Sequence, residues 1–243
     1  MLSFIIPFNS KRNDRLSNCI FNIQKFYVKD EHEIIAVQQK AEEPFKLGQV
    51  RNIGFKKSSG DIIIFLDVDM RFPEKILFKK ELETFKTPFV AWKFITKVDE
   101  EKTDNFEILS EHHEGVGKGG CVVYSRKQFV ESCGYSNLPI GWGKEDNIIN
   151  IRKSLIRLNY EIYHVNHDND RRLWGAKASA LDFNTMLSRT EPSRMKHKDS
   201  FEHTIADEEI VFEGFEIKHY KVSNIRVPDD FVYTKLFNKS KEF

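Results

Sequence analysis

Five consecutive large apolar side chains, Ile62-Ile63-Ile64-Phe65-Leu66, run directly into Asp67-Val68-Asp69. A segment with no polar member on either face of its pleat is a strand covered from both sides, as in a parallel sheet layered between helices. Two shorter apolar runs precede it, Leu2-Ser3-Phe4-Ile5-Ile6, stopped by Pro7, and Glu33-Ile34-Ile35-Ala36-Val37. Leu16, Cys19, Ile20, Ile23 and Tyr27 recur between them at helical spacing, and a second helix is expected near Gln49 to Ser58, ended by Gly60-Asp61. Buried strands alternating with helices predict an α/β fold, a mostly parallel, doubly wound sheet flanked by helices.

Further along, Phe78, Leu82 and Phe85 share one helical face, and the run from Phe89 to Ile95 reads as one strand. A glycine-rich loop, Gly115 to Gly120, feeds a strand at Cys121-Val122-Val123-Tyr124. The spacing of Ile148, Ile151, Leu155 and Leu158 predicts a helix beginning near Glu145, and Ile162-Tyr163-His164-Val165 returns as a strand. From about Ala176 short apolar groups alternate with charges without a clear period.

A length of 243 residues suits one α/β core with an appendage, and 40% hydrophobic residues against 31% charged ones exclude a disordered chain. Lys plus Arg number 38 and Asp plus Glu 37, so there is no broad basic footprint for nucleic acid and any phosphate must be held locally. No apolar run approaches the roughly 18 residues of a spanning helix, and Met1-Leu2-Ser3 leads straight into a strand, so a soluble, cytoplasmic protein is expected, free to associate peripherally with a membrane. Cys19, Cys121 and Cys133 are an odd number without C-x-x-C spacing, which predicts reduced structural thiols.

Asp67 and Asp69 stand where the buried strand ends, and open α/β sheets bind ligands beyond the carboxyl ends of their strands. Two carboxylates one residue apart suit a hard divalent cation whose remaining ligands come from a diphosphate. The bland reading is a pair of turn carboxylates. A strand followed by D-x-D also resembles the phosphatase-like hydrolases with a nucleophilic aspartate, although those place the motif after the first strand, and here two strands precede it and Met70-Arg71 follows.

The segments Phe4-Ile5-Ile6-Pro7-Phe8-Asn9, Glu33 to Gln39, Gly48-Gln49-Val50-Arg51-Asn52-Ile53-Gly54 and Asp61 to Asp69 together resemble the nucleotide-sugar half of the GT-A glycosyltransferases. Gly119-Gly120-Cys121-Val122-Val123-Tyr124, Gly134-Tyr135 and Gly141-Trp142-Gly143-Lys144-Glu145-Asp146 are similar to the acceptor half of the β-1,4-galactosyltransferases and polypeptide N-acetylgalactosaminyltransferases. The resemblance implies a GT-A domain over residues 1–175, with the nucleotide-sugar half over about 1–100 and the acceptor half over about 101–175, and a C-terminal extension over 176–243.

By the same resemblance, Pro7, Phe8 and Asn9 line a uridine pocket, Gln39 lies at the base or ribose and Arg51 near the diphosphate. Asp69 becomes the ligand of Mn²⁺ or Mg²⁺, and Asp67 holds the ribose or the outer shell of the ion. Gly120, Trp142 and Glu145 contact donor or acceptor sugar, and Asp146 is the general base. His167 fits the family's third metal ligand better than His164; in an extended segment two positions three apart face opposite sides, so only one of them can serve. Without the resemblance, Glu145-Asp146 would be read as an acidic helix start favoured by the helix dipole, and each histidine as a surface residue.

Ile140, Lys144 and Asn147 depart from the galactosyltransferase pattern and move the resemblance towards bacterial polysaccharide-synthesising enzymes of the chondroitin-polymerase type. The activity implied is a metal-dependent, inverting transfer of a hexose or N-acetylhexosamine from a UDP-sugar to a hydroxyl of a glycan or lipid-linked acceptor in surface polysaccharide synthesis. An aspartyl-phosphate hydrolase centred on Asp67 and a nucleotide-sugar-binding module without catalysis are the alternatives.

Overall fold

The computed structural model describes residues 1–9, 13–39, 47–102, 105–110, 113–114, 119–132, 134–135, 146, 155–166, 217–221 and 231–238. Strand β1 (Leu2–Asn9) leads to helix α1 (Asn13–Tyr27), β2 (His32–Gln39) to α2 (Leu47–Lys57), and β3 (Ile62–Leu66) to the short β4 (Met70–Arg71). Then come α3 (Phe78–Phe85), β5 (Phe89–Val90), β6 (Phe94–Lys102), β7 (Asn105–Ile108) and β8 (His113–Glu114). The described elements end with β9 (Cys121–Ser125), α4 (Arg126–Glu131), β10 (Ile156–Arg157), β11 (Glu161–Val165), β12 (Ile217–Lys221) and β13 (Phe231–Asn238).

The main sheet has the order β10-β5-β9-β3-β1-β2-β13-β12, and a second sheet the order β4-β11-β6-β7 with β8 paired to β6. β1 pairs in parallel with β2 and β3, as the alternation of elements predicts. Its period-two pattern serves two cores. Phe4 and Ile6 of β1 and Ile62, Ile64 and Leu66 of β3 face Cys19, Ile23 and Tyr27 of α1 and Phe78 and Leu82 of α3. Ile5, Ile63 and Phe65 face Phe55 of α2 and Phe129 of α4. The unbroken apolar run at 62–66 is thus the strand sandwiched between both helical layers, and all five residues are buried.

Several local expectations change. Pro7 does not stop β1: pairing with β3 ends at Ile5↔Phe65, so beyond it the strand can carry a residue without an N–H while β2 continues alongside to Asn9↔Gln39. The apolar stretch from Phe89 to Ile95 is two strands, because the chain leaves the main sheet at Ala91, whose N–H donates to Cys121 O at 2.9 Å, and joins the second at Lys93, whose N–H donates to Tyr160 O at 2.9 Å. Continuous burial hides such a turn from sequence pattern. Phe85 is 46% exposed at the last turn of α3, while Phe78 and Leu82 are buried. The helix expected to run through Leu158 does not reach it: Leu155 is not helical, Ile156 and Arg157 pair with Phe89 and Val90, and the Leu158 N–H donates to Val90 O at 3.0 Å. Pairing with an open sheet edge outweighs helical spacing there. Ile148 and Ile151 lie outside the described residues.

β13, in the segment without a clear period, pairs antiparallel with β2 from Phe231↔Gln39 to Asn238↔His32, and β12 pairs with β13. Cys19 and Cys121 are buried and reduced, and Cys133 lies outside the described residues. Among the described residues no helix is long and apolar enough to cross a membrane.

Candidate active site

The carboxyl ends of β1 and β3 open on one side of the main sheet, and there the acidic residues converge. Asp67 follows β3, and its backbone N–H donates to Gly120 O at 2.8 Å, which locks the motif to the start of β9. Asp69 enters β4, whose pairing with β11 sets His164 opposite Met70. The Val165 N–H donates to Asp69 O at 2.8 Å, and His164 Nε2 lies 3.8 Å from Asp69 Oδ2.

Arg51 sits below these groups, in α2, with no exposure to solvent. Its Nη2 donates to Asp67 Oδ1 at 2.8 Å and its Nη1 to Asp146 Oδ1 at 2.7 Å. The guanidinium lies over the Tyr135 ring, 4.8 Å from the centroid. Tyr135 is itself held by Asn52, one residue along α2, which accepts from the Tyr135 N–H at 3.0 Å and donates to its carbonyl at 2.7 Å. A planar fork can satisfy two carboxylates at once, which an ammonium cannot do with the same geometry. The Asp67 and Asp146 side chains keep 27% and 21% exposure, so neither is enclosed as Arg51 is. Burial pushes the Asp67 carboxyl up, Arg51 draws it back down, and Asp69 and Asp146 push it up again, leaving it above the ordinary carboxylate range.

Two glycines make room for this arrangement. A Cβ on Gly119 would fall 2.2 Å from Asp146 Oδ2, and one on Gly120 would fall 2.7 Å from Met70 Cε, at a backbone φ of +79° that favours glycine. The Gly119 carbonyl accepts from Trp92 Nε1 at 3.0 Å. Arg71, also fully buried, donates through Nη1 to Val68 O at 2.8 Å and Met70 O at 2.9 Å, and through Nη2 to Arg15 O at 3.2 Å. The turn that carries both motif aspartates is therefore braced from beneath.

Of the residues expected from sequence, Arg51, Asp67, Asp69, Gly120 and Asp146 come together here, and Asp146 is helical as expected. Pro7 and Phe8 are buried at the carboxyl end of β1, where Asn9 is the last residue, and Gln39 closes β2 beside Asn9. Trp142, Glu145 and His167 lie outside the described residues. Gly119 and Tyr135 belong to the segments that carry the resemblance but were given no role from sequence, and Arg71 was not singled out at all. The Gly-Gly doublet before a strand was the available signal for Gly119 and the Gly134-Tyr135 match for Tyr135; nothing local distinguishes Arg71 from a surface residue.

Asp69 and His164, 3.8 Å apart, are a carboxylate and an imidazole of the kind a divalent cation accepts. Among the described residues no group of three histidine, cysteine, aspartate or glutamate side chains is clustered closely enough to hold an ion alone.

Residues 5–130 match the model of glycosyl transferase family 2, and residues 102–177 match that of the N-terminal domain of galactosyltransferase. No curated protein matches the chain at the level of sequence. Among solved structures, the catalytic domain of Drosophila β1,4-galactosyltransferase 7 in complex with xylobiose is similar at 16% identity and a TM-score of 0.55, over 87% of this chain and 89% of that one. S. aureus TarS is similar at 12% identity and a TM-score of 0.55, over 82% and 41%. GalNAc-T7 with UDP, GalNAc and Mn²⁺ is similar at 15% identity and a TM-score of 0.51, over 70% and 44%. These likenesses establish the GT-A fold, and with it the phosphatase-like reading of Asp67 gives way. The first family model alone spans more than half of the 243 residues: the chain belongs to glycosyl transferase family 2.

Proposed function

We propose that the protein transfers a hexose or N-acetylhexosamine from a UDP-sugar to a hydroxyl of a glycan or lipid-linked acceptor, with inversion, in polysaccharide synthesis at the cytoplasmic face of a membrane. The observation that carries this reading is that one buried guanidinium, that of Arg51, holds Asp146 beside Asp67. Neighbours of the same fold support the donor class: a mutant of Drosophila β1,4-galactosyltransferase 7 is bound to manganese, UDP-Gal and xylobiose, and GalNAc-T7 to UDP, GalNAc and Mn²⁺. The departures at Ile140, Lys144 and Asn147 support a polysaccharide acceptor.

In this reading Pro7, Phe8, Asn9 and Gln39 hold the uridine at the ends of β1 and β2, with Asp67 on the ribose side. Asp69 holds Mn²⁺ or Mg²⁺ together with a histidine, His167 by the family pattern or His164 by its 3.8 Å approach to Asp69. When bound, that ion supplies positive charge to the departing diphosphate. Asp146 takes the proton of the acceptor hydroxyl as its oxygen bonds to the anomeric carbon and the bond to UDP breaks. Gly120, Trp142 and Glu145 orient the two sugars.

Calorimetry with UDP tests the donor end. Binding should be weak in chelator and at least about tenfold tighter with Mn²⁺, and Asp69→Asn should remove the difference. Equal affinities in wild type would overturn metal dependence. A panel of UDP-sugars, read by UDP release through slow hydrolysis, then separates a transferase from a binding module: UDP binding without turnover of any donor would leave only the module.

A further inference from the structure

The family pattern assigns Arg51 to the neighbourhood of the diphosphate, yet its described bonds run elsewhere. Both terminal nitrogens are given to carboxylates, one from each end of the reaction: Nη2 to Asp67 at 2.8 Å and Nη1 to Asp146 at 2.7 Å. The side chain is 1% exposed, stacked on Tyr135, and rooted in a helix turn that Asn52 ties to the Tyr135 backbone. A charge so enclosed is poorly placed to meet a ligand in the cleft and well placed to set the groups above it.

The two oxygens of Asp146 are thereby made different. Oδ1 is taken by Arg51, while Oδ2 stands at Gly119, where a Cβ would be only 2.2 Å away. The carboxylate fits in one rotation, held from below on one oxygen and admitted on the other only because residue 119 has no side chain. Proton transfer needs the accepting oxygen within hydrogen-bond reach of the attacking hydroxyl, and small displacements are costly.

We infer that Arg51 is a positioning residue that acts through Asp146: Nη1 fixes Oδ1 so that Oδ2 meets the acceptor hydroxyl, and Nη2, anchored on Asp67, sets that oxygen relative to the donor. The inference rests on Asp146 being the general base. It joins the two stretches matched by different family models, since Asp146 lies beyond residues 5–130 and within residues 102–177.

Arg51→Lys keeps the charge and loses the fork. With the best UDP-sugar of the panel, kcat for UDP release should fall by roughly 10- to 100-fold, while the affinity for UDP with Mn²⁺ stays within about threefold. In an Asp146→Asn background the same change should cost less than about threefold more, because the group it acts through is already disabled. Gly119→Ala is the independent variant, and decides the matter should Arg51→Lys fail to fold: it displaces Oδ2 without touching Arg51 and should reproduce the loss of kcat with UDP binding retained. Normal turnover in both variants would overturn the inference while leaving the transferase reading intact. A fall in UDP affinity matching the fall in kcat would overturn it in favour of a direct diphosphate contact. A wild-type chain that turns over no donor removes the transferase reading and the inference together.

Discussion

The two ends of the central strands each bury a charged group and treat it differently. At the amino ends, Glu33 of β2 is wholly buried, and its carboxylate accepts from Ser3 Oγ at 2.6 Å, from the Ser59 N–H at 2.5 Å and Oγ at 2.9 Å, and from the Gly60 N–H at 3.2 Å. Arg126 closes that end from α4, donating to Gly60 O at 2.8 Å and Ser58 Oγ at 2.7 Å with its guanidinium over Phe55. At the carboxyl ends Arg51 is a buried ion whose two carboxylate partners stay partly exposed, 27% at Asp67 and 21% at Asp146. A fully enclosed and saturated carboxylate can only stabilise; one held on a single side by a buried partner keeps lone pairs for a substrate. Burial alone therefore does not separate structure from chemistry, whereas the fate of the remaining lone pairs does.

The sharpest way to break this contrast is at Asp146. Asp146→Asn still accepts from Arg51 but cannot take a proton, so kcat should fall by roughly 10²-fold or more with UDP and Mn²⁺ affinities nearly unchanged. A variant that melts earlier yet transfers at the normal rate would assign Asp146 to helix capping and pass the base to Glu145.

At the opposite end Glu33→Ala should do the reverse. Removing the acceptor strands several buried donors, and unfolding in urea should show a loss of about 2–4 kcal/mol, with kcat per folded molecule unchanged. A stable variant with impaired turnover would mean that the amino-end cluster reaches the site after all.

A smaller effect separates the two histidines. If His167 is the cation ligand, His167→Ala should weaken Mn²⁺-dependent UDP binding about tenfold or more and His164→Ala should weaken it less. The reverse order would give the role to His164, already beside Asp69. Negligible effects from both would leave the cation to Asp69 and the diphosphate.

The smallest concerns His32, at the same amino ends as Glu33. Burial holds its imidazole below the ordinary value, against the bond its Nδ1 makes to Asp30 O at 2.9 Å. The unfolded chain then takes up a proton first as pH falls, so its contribution is complete above about pH 6.5 and is lost as pH drops towards the lower folded value. Urea unfolding at pH 6.5 and 5.5 should show wild type losing up to about 1 kcal/mol more than His32→Gln, since the unfolded imidazole is already about half protonated at pH 6.5. Equal losses would show that His32 is not the titrating group.

Both ends of the sheet were partly legible beforehand. The apolar runs of β1, β2 and β3 and the 3.6-residue stripe of α1 announce themselves because burial on a regular element imprints a period on the chain. The motif aspartates were legible through their flanks: two carboxylates after a buried strand are ordinarily turn residues, and the neighbouring segments that resemble the GT-A family set this pair apart. Asp146 and Arg51 were each identifiable by resemblance, but their contact was not: 95 residues separate them, and no local period records which carboxylate a guanidinium will find. The break at Ala91–Lys93 and the pairing of Ile156 and Arg157 with β5 in place of a helix were hidden because both depend on which sheet edge is vacant.

What the sequence determined by itself is the layered α/β core, the alternation of its first three strands with helices along the chain and the placing of an acidic pair after the third. These follow from local burial patterns and chain direction, which each segment carries without its partners. Tertiary structure alone decided that β13 would cover the edge of β2, that His164 would stand by Asp69, and that one buried arginine would hold Asp67 and Asp146 together. Those are outcomes of packing between distant segments, where an open edge or an enclosed charge accepts the partner that the assembled fold brings within reach.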